Sequence, residues 1–488
     1  MLWKNQFASH RHSHVCLLAL VFCLYMVTTT GCAMGPNYQP PQPRVPAAWS
    51  KPTTAVIAEP NKVAAQYLAN WWTTFGDETL TSLVDRAVKS NLDLKNAEAR
   101  VRQARAARGI VSAGQWPTVD VAASFTRSRS QTGSVGIIRN LYQAGLDAAW
   151  ELDIFGAVRR NVEAAEADIQ VSVEDEHDVL ITLTAEVALN YIDLRGFQQQ
   201  IVIAQDNLKA QQHSAGLTRD RFRGGFVSGL DVANADALVA TTASQVPLLE
   251  SAAQQTIYTL SILLGLEPSA LVQELTAAST IPAAPPMVPL GVPSELLRRR
   301  PDIRRAEAQI HAATARIGVA TTDLFPKVTL SGSMGFQDSQ LKSWADWSSR
   351  FWSFGPSLSL PIFNAGRIRS NIEVQKAIQE QSLVAYQKTV LTALQEVENA
   401  LIASTKEQEH RKALTDAVTA NRKAVELATQ LYSQGQTDFL NVLEAQRALY
   451  ASEDAVVQST RSVSTNLVAL YKALGGGWSE ESQTATNQ

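Results

Sequence analysis

Four stretches of the chain alternate apolar and polar positions with period two. Val119, Val121, Ala123 and Phe125 fall on one side, with Asp120, Ser124 and Thr126 on the other. Leu146, Ala148, Trp150, Leu152 and Ile154 share a side of the second stretch. In the third, Val328, Leu330 and Met334 alternate with Thr329, Ser331 and Ser333. In the fourth, Trp352, Phe354, Pro356, Leu358, Leu360 and Ile362 alternate with Ser353, Gly355, Ser357 and Ser359. The period predicts strands over about 117–128, 143–155, 326–337 and 352–363. Apolar residues on one side and small or polar ones on the other, sustained for about ten residues, make the pattern of a transmembrane β-barrel strand, although a soluble sandwich alternates too.

The remaining pattern is helical. Ala-rich helices are expected over about 77–113 and 293–321, stopping before Pro117 and Pro326. From 157 to 222 there is no proline, and only Gly196 and Gly216 interrupt; at 1.5 Å per residue that is about 100 Å of helix. Leu180, Leu183, Val187 and Leu194 mark one heptad stripe, and Ile181, Ala185, Ala188 and Ile192 a second. One stripe suits a two-helix coil, whereas two suit a helix flanked on both sides, as in a closed ring of helices. The long segments are expected to fold back as hairpins at Arg223-Gly-Gly225 and Gln434-Gly-Gln436, where glycine supplies conformations that a Cβ resists.

The two halves repeat one another at a shift of about 209 residues. Asp93-Leu94, Ala97, Val101, Ala104 and Pro117 match Asp302-Ile303, Ala306, Ile310, Ala313 and Pro326, and the Trp150–Phe155 segment matches Leu358–Phe363. Asn161-Val-Glu163 matches Asn371-Ile-Glu373. Phe222, Gly225, Leu230, Val232, Ala235 and Leu264-Gly265 match Tyr432, Gly435, Leu440, Val442, Ala445 and Leu474-Gly475. This is a duplicated unit of helix, two strands and a long helical hairpin. The first copy is expected over 77–292 and the second over 293–475, with a flexible tail at 476–488.

Four strands cannot close a barrel, and open edges leave backbone groups unpaired in lipid. Barrels commonly need about eight strands or more, so several chains must pool theirs. Three copies give twelve strands.

Composition narrows the chemistry. The 488 residues carry 43 Lys and Arg against 46 Asp and Glu, so no basic face for nucleic acid is indicated. Charged residues are only 18% of the chain, below the usual share for soluble domains. All three cysteines (Cys16, Cys23 and Cys32) lie near the N-terminus, which excludes a disulfide framework, a thiolate zinc site and a cysteine nucleophile in the body. The four histidines outside the leader (His177, His213, His311 and His410) are far apart, and exposed helix positions are expected for them. No phosphate loop or serine elbow occurs. Gly475-Gly-Gly477 reads as a helix stop and linker, and Arg298–Asp302 as a structural helix junction.

The N-terminus is an address. Lys4 and Arg11 precede a 13-residue apolar run, Val15–Val27, too short to span a bilayer but right for a signal peptide. Residues 1–31 are expected to be removed. Thr28-Thr-Thr-Gly-Cys32 resembles a bacterial lipobox with Thr29 in place of Leu or Val, which implies lipidation of Cys32 and a diacylated, N-acylated mature terminus. Ala33, rather than aspartate, implies sorting to the outer membrane. The proline-, alanine- and threonine-rich stretch from Cys32 to about residue 65 is expected to be an extended tether.

Taken together, four motifs resemble the outer membrane factor family, in its TolC-like efflux-lipoprotein branch associated with resistance-nodulation-division (RND) pumps. They are Cys32-x-x-Gly-Pro-x-Tyr38-x-x-Pro41, Arg299-Arg-Pro-Asp-Ile-Arg304-x-Ala-Glu307, Leu360-Pro-Ile-Phe363-x-x-Gly366, and Tyr432-x-x-Gly435-x-x-x-x-Leu440-x-x-Leu443-x-Ala445-Gln446. The resemblance, rather than composition, makes residues 32–76 a strap, and it implies an α+β membrane protein. It would be a homotrimeric channel-tunnel with a 12-strand outer-membrane β-barrel, four strands per chain, and a long periplasmic α-helical barrel. It further implies a passive export duct, no catalysis, and no cofactor beyond the lipid on Cys32. The implied partners are its own copies, outer-membrane lipid, a periplasmic adaptor (membrane fusion) protein and an inner-membrane RND-type pump.

By the same resemblance Gly225 and Gly435 mark the tips that meet the adaptor, and Leu440, Glu444, Tyr432 and Asn441 form a periplasmic gate. Glu444 stands where the family usually has aspartate, and Thr437 where some members have a latching arginine. The first copy has Leu230 and Asn234 at the gate positions and therefore lacks the acid. Two other classes fit parts of the pattern. One is the conduit of a type I protein-secretion system; the other is a lipid-anchored coiled-coil spacer, which needs none of the mirrored strands.

Overall fold

The computed structural model describes residues 33–50, 67–132, 135–285 and 293–478. The leader, Cys32 and residues 479–488 of the expected tail lie outside the described residues. In chain order come α1 (Glu78–Ser90), α2 (Leu92–Ala113), β1 (Thr118–Thr132), β2 (Val135–Leu152), α3 (Ala157–Arg223) and α4 (Gly229–Leu263). The second half continues with α5 (Pro301–Thr322), β3 (Lys327–Asp338), β4 (Arg350–Ser359), α6 (Arg367–Ser433) and α7 (Phe439–Ala473). The duplication extends to element length: α2 and α5 have 22 residues each, α3 and α6 have 67, and α4 and α7 have 35.

The chain divides into two compact units. One holds the chain up to Gln42 with Arg100–Val173 and Arg305–Gln387; the other holds Pro43–Ala99, Glu174–Arg304 and the chain from Lys388.

The first unit contains the sheet, ordered β1-β2-β3-β4 and antiparallel throughout. Directly opposed residues share a face, so the register sorts the side chains. Val121, Leu146, Met334 and Trp352 form one row, and Val119, Ala148, Gly332 and Phe354 the next. On the other face Asp120, Asp147, Ser333 and Ser353 line up. The apolar face is uncovered by its own chain: Val121 is 80% exposed, Trp352 77% and Leu358 69%. β1 and β2 are longer than the alternation predicts and leave only two residues between them. Beyond Phe125 the apolar-side positions become Arg127 and Arg129, so the pattern ends while the hydrogen-bonded ladder continues to the Thr132–Val135 pair.

Gly145 and Gly335 stand opposite one another in the centre of the sheet. A Cβ at Gly145 would come within 2.5 Å of the Met334 carbonyl oxygen, and one at Gly335 within 2.3 Å of that of Ala144. Only glycine permits so close an approach of two backbones.

The predicted helix over 77–113 is two helices, with the break in the second unit. The Asn91 side chain accepts from the Leu94 amide at 2.9 Å, starting α2, and donates to the Leu263 carbonyl at 2.8 Å. One side chain therefore breaks the first helix and ties the break to the end of α4. In the second repeat Pro301 is the first residue of α5, where its missing N–H costs nothing. Both stripes of α3 are covered: Leu183, Val187 and Leu194 are buried, as are Ile181, Ala185, Ala188 and Ile192. Trp71 is fully buried and stacks on Tyr471 with ring centroids 5.2 Å apart. His177 departs from the exposed position expected of it. It is buried, contacts the Glu174 carboxylate at 3.2 Å and stacks on Trp478 at 4.3 Å.

Candidate functional site

Both helical hairpins turn through the same backbone device. Gly225 donates to the Phe222 carbonyl and Phe226 to that of Arg221; Gly435 donates to Tyr432 and Gln436 to Leu431. This pair of bonds with a left-handed residue is the Schellman termination, and both glycines have φ of 77°. Each next helix starts after a short link. Ser228 and Asp231 form a reciprocal capping box at α4, and Asp438 precedes α7.

The two turns are joined by an arginine. The Arg221 guanidinium lies 4.6 Å above the Tyr432 ring and donates to the Tyr432 carbonyl. The Tyr432 hydroxyl donates to Thr218 Oγ1 at 3.3 Å, and its ring packs edge-on against Phe439. With Ala215, Ala235, Leu238, Val442 and Leu443 these aromatics form one buried cluster.

The four gate candidates separate. Tyr432 is 2% exposed and belongs to that cluster. Leu440, Asn441 and Glu444 lie on the exposed side of α7, opposite Phe439, Val442, Leu443 and Gln446. Leu440 is 57% exposed, so its apolar side chain is mostly uncovered within its own chain. The Glu444 carboxylate lies 3.4 Å from Arg447, and the Asn441 amide donates to Thr437 Oγ1 at 2.6 Å. Leu230, the first-repeat counterpart of Leu440, is likewise mostly uncovered at 68%. The arginine bridge escaped the sequence reading, because 211 residues separate Arg221 from Tyr432.

A second constellation holds the segment following Cys32, within the first unit. Met34 donates its amide to the Phe155 carbonyl at 3.1 Å. Arg160 donates to the Met34 carbonyl at 3.1 Å and the Asn37 side chain at 2.6 Å, and pairs with Glu163 at 2.7 Å. Gly35 meets Gly318 so closely that a Cβ would fall 2.4 Å from the Gly318 Cα. Tyr38 stacks on His311 at 4.3 Å and donates to Glu307 at 3.0 Å. Burial, then the neighbouring Glu307 carboxylate, pushes the Tyr38 phenol well above its ordinary pKa. Glu307 belongs to the Arg299–Glu307 motif and Tyr38 to the Cys32–Pro41 motif, so both ends of this contact were legible while the contact itself was not.

Among the described residues no cluster of three or more His, Cys, Asp or Glu could hold a metal, and no helix is long and apolar enough to cross a membrane.

Comparison with known proteins agrees along nearly the whole chain. The family described as outer membrane efflux protein matches residues 83–266 and 292–476, one span in each half. The pyoverdine export outer membrane protein OpmQ of Pseudomonas putida is 35% identical over 484 residues, covering 96% of this chain and 99% of that protein. Nodulation protein T of Rhizobium leguminosarum bv. trifolii is 32% identical over 460 residues, covering 93% of this chain and 96% of that protein. The solved outer-membrane channel OprN superposes with a TM-score of 0.85 at 38% identity, over 92% of this chain and all of that one. With four mirrored strands and two equal helical hairpins per chain, this protein belongs to the outer membrane efflux protein family: it is a non-enzymatic efflux-channel subunit of a Gram-negative outer membrane that extends into the periplasm.

Proposed function

We propose that three copies of the chain close one twelve-strand barrel, and that small molecules leave the cell passively through its polar interior. The observation that carries this reading is the four-stranded sheet, which has unpaired edges at β1 and β4 and an uncovered apolar face. In lipid every backbone group needs a partner, so β4 of one copy takes β1 of the next. The apolar face turns to lipid, and the face bearing Asp120, Asp147, Ser333 and Ser353 lines the duct.

In this reading residues 1–31 are a signal peptide and Cys32 carries the lipid at the head of a strap that, contrary to the expected bound at 76, ends before the buried helical turn Trp71–Phe75. Residues 77–292 and 293–475 are the two repeats, and the tail expected from 476 starts later, because Gly477 donates to the Leu68 carbonyl and Trp478 stacks on His177. The turns at Gly225 and Gly435 meet a periplasmic adaptor, which couples the duct to an inner-membrane RND-type pump. Leu440 and Glu444, mostly uncovered and one helical turn apart, close the periplasmic end as an apolar plug and a ring of carboxylates, with Asn441 beside them. Tyr432 supports that end from inside the hairpin cluster. OpmQ, named for pyoverdine export, supports a small-molecule cargo.

Mass measurement of the detergent-purified protein, paired with planar-bilayer conductance, tests the assembly. A trimer that conducts is expected. A stable monomer with full strand content overturns it.

A further inference from the structure

The face of the sheet that turns to lipid changes character along β1 and β2. From Val119 to Phe125 its β1 positions are Val, Val, Ala and Phe, and the opposed β2 positions are Ala148, Leu146, Ala144 and Tyr142. The next two positions on that face are Arg127 and Arg129, opposite Asn140 and Ile138. Between Val121 and Leu146 the chain has three arginines and no acid. The third, Arg139, is opposite Ser128 and so points to the other face.

These arginines sit at the end of the sheet remote from the helices, because α2, α3, α5 and α6 all join the opposite strand ends. In an outer-membrane channel whose helices extend into the periplasm, that end meets the outer leaflet. Phe125 and Tyr142, with ring centroids 4.6 Å apart, mark the top of the apolar band, as interfacial aromatics do in membrane barrels. Arg127 and Arg129 stand one and two outward positions above them. At about 3.4 Å per residue the two side chains leave the strand roughly 7 Å apart.

Neither arginine has a hydrogen-bond or ion-pair partner among the described residues, and both are exposed. Arg129 has a seat, however. A Cβ at Gly136 would lie 2.6 Å from its Nε and 2.8 Å from its Nη2, so the guanidinium rests where β2 has no side chain. Asp338, opposite Tyr142 on this face, is already engaged by the Ser349 hydroxyl at 2.9 Å and the Gln340 amide at 3.1 Å. In a closed ring β4 meets β1, and Arg350, which lies at the outer end of β4 on the apolar side opposite Phe336, is held there by the Trp347 ring at 4.4 Å and the Trp347 carbonyl at 3.0 Å.

We infer that Arg127 and Arg129, with Arg350 contributed across the seam between copies, form a binding site for the phosphates of lipid A, the phosphorylated glycolipid of the outer leaflet. Guanidinium forks match phosphate oxygens bidentately, and basic residues at headgroup height recruit anionic lipid. The aromatic row beneath them sets the arginines at headgroup height. The inference rests on the barrel reading above.

The test uses the purified full-length trimer. It is incubated in detergent with bisphosphorylated lipid A, fully dephosphorylated lipid A or phosphatidylethanolamine, and retained lipid is counted by native mass spectrometry. Wild type should retain the bisphosphorylated lipid about ten-fold over the dephosphorylated one, and Arg127→Gln with Arg129→Gln should remove that preference. Arg139→Gln, on the opposite face, should leave it intact. Gly136→Val, which unseats Arg129 without removing charge, should weaken it. Excess inorganic phosphate should not displace the lipid, which separates a lipid site from a free-anion site.

Equal retention by wild type and the double variant, or an equal loss in Arg139→Gln, overturns the inference. So does displacement by inorganic phosphate. Trimer mass and bilayer conductance recorded for every variant register a failure of the barrel itself as a separate result.

Discussion

Asp120 stands directly opposite Asp147 on the polar face of the sheet. Like charges in opposed positions of an antiparallel pair destabilise it, and in a closed trimer the pair recurs three times around the duct. Asp120→Asn with Asp147→Asn should therefore raise the thermal stability of the trimer slightly, by a few tenths of a kcal/mol per relieved pair. It should also lower the cation-over-anion permeability ratio in planar bilayers, because carboxylate rings favour cations. An unchanged reversal potential in a salt gradient would show that this ring contributes nothing to selectivity.

Gly225 and Gly435 share a φ of 77°, and beyond the adjoining residues no atom lies within 4 Å of a Cβ placed on Gly225. Alanine there meets backbone strain alone, a cost of about 1 kcal/mol at one turn, and the trimer should survive. A bulky residue such as tryptophan at either glycine should abolish export with normal trimer levels. Drug-susceptibility assays alongside semi-native gels check this, and wild-type resistance in both bulky variants would move the adaptor contact elsewhere.

Leu440→Ala with Glu444→Ala removes two side chains that are mostly exposed in their own chain. Chain stability should change by less than about 0.5 kcal/mol. Single-channel conductance and uptake of a bulky excluded antibiotic should rise, and cation preference should fall. Tyr432→Ala behaves differently: it empties a buried aromatic site and should destabilise the protein by about 3–5 kcal/mol. Unchanged conductance, uptake and selectivity in the Leu440/Glu444 variant would place the constriction elsewhere.

Tyr38 ties the segment that follows Cys32 through Glu307 and His311. Its phenol pKa is raised in the folded state, so the folded segment holds the neutral form. That contribution is complete below the unfolded value near 10 and is lost as pH rises through the raised folded value. Limited proteolysis of that segment should accelerate above about pH 10, and Tyr38→Phe should flatten that dependence. Equal alkaline acceleration in the variant would assign the effect to another group.

Cys32→Ala should abolish incorporation of a clickable palmitate analogue and leave the signal peptide attached, while the barrel still forms. Equal label on both proteins would exclude lipidation at this position.

What the sequence made legible follows physical range. The strand alternation and the duplication were readable because each is written in local spacing. The upper halves of β1 and β2 were not, since hydrogen bonding continues past Phe125 while the apolar alternation stops at Arg127. The break at Asn91 depends on a carbonyl at Leu263, and the burial of His177 on Trp478 near the other end of the described chain. Arg221 and Tyr432 meet only after both hairpins have folded. Leu440 could be assigned to a helix face by its spacing, yet whether that face is covered is decided by the neighbouring helices.

The two unpaired strand edges also bear on inheritance. If a barrel exists only when three chains share it, one chain with a damaged β1 or β4 spoils the two sound copies it joins. In a cell making equal amounts of sound and damaged subunits, random mixing leaves about one assembly in eight intact. An edge-strand lesion would therefore be dominant, whereas a lesion that prevents a chain from reaching the membrane would be recessive.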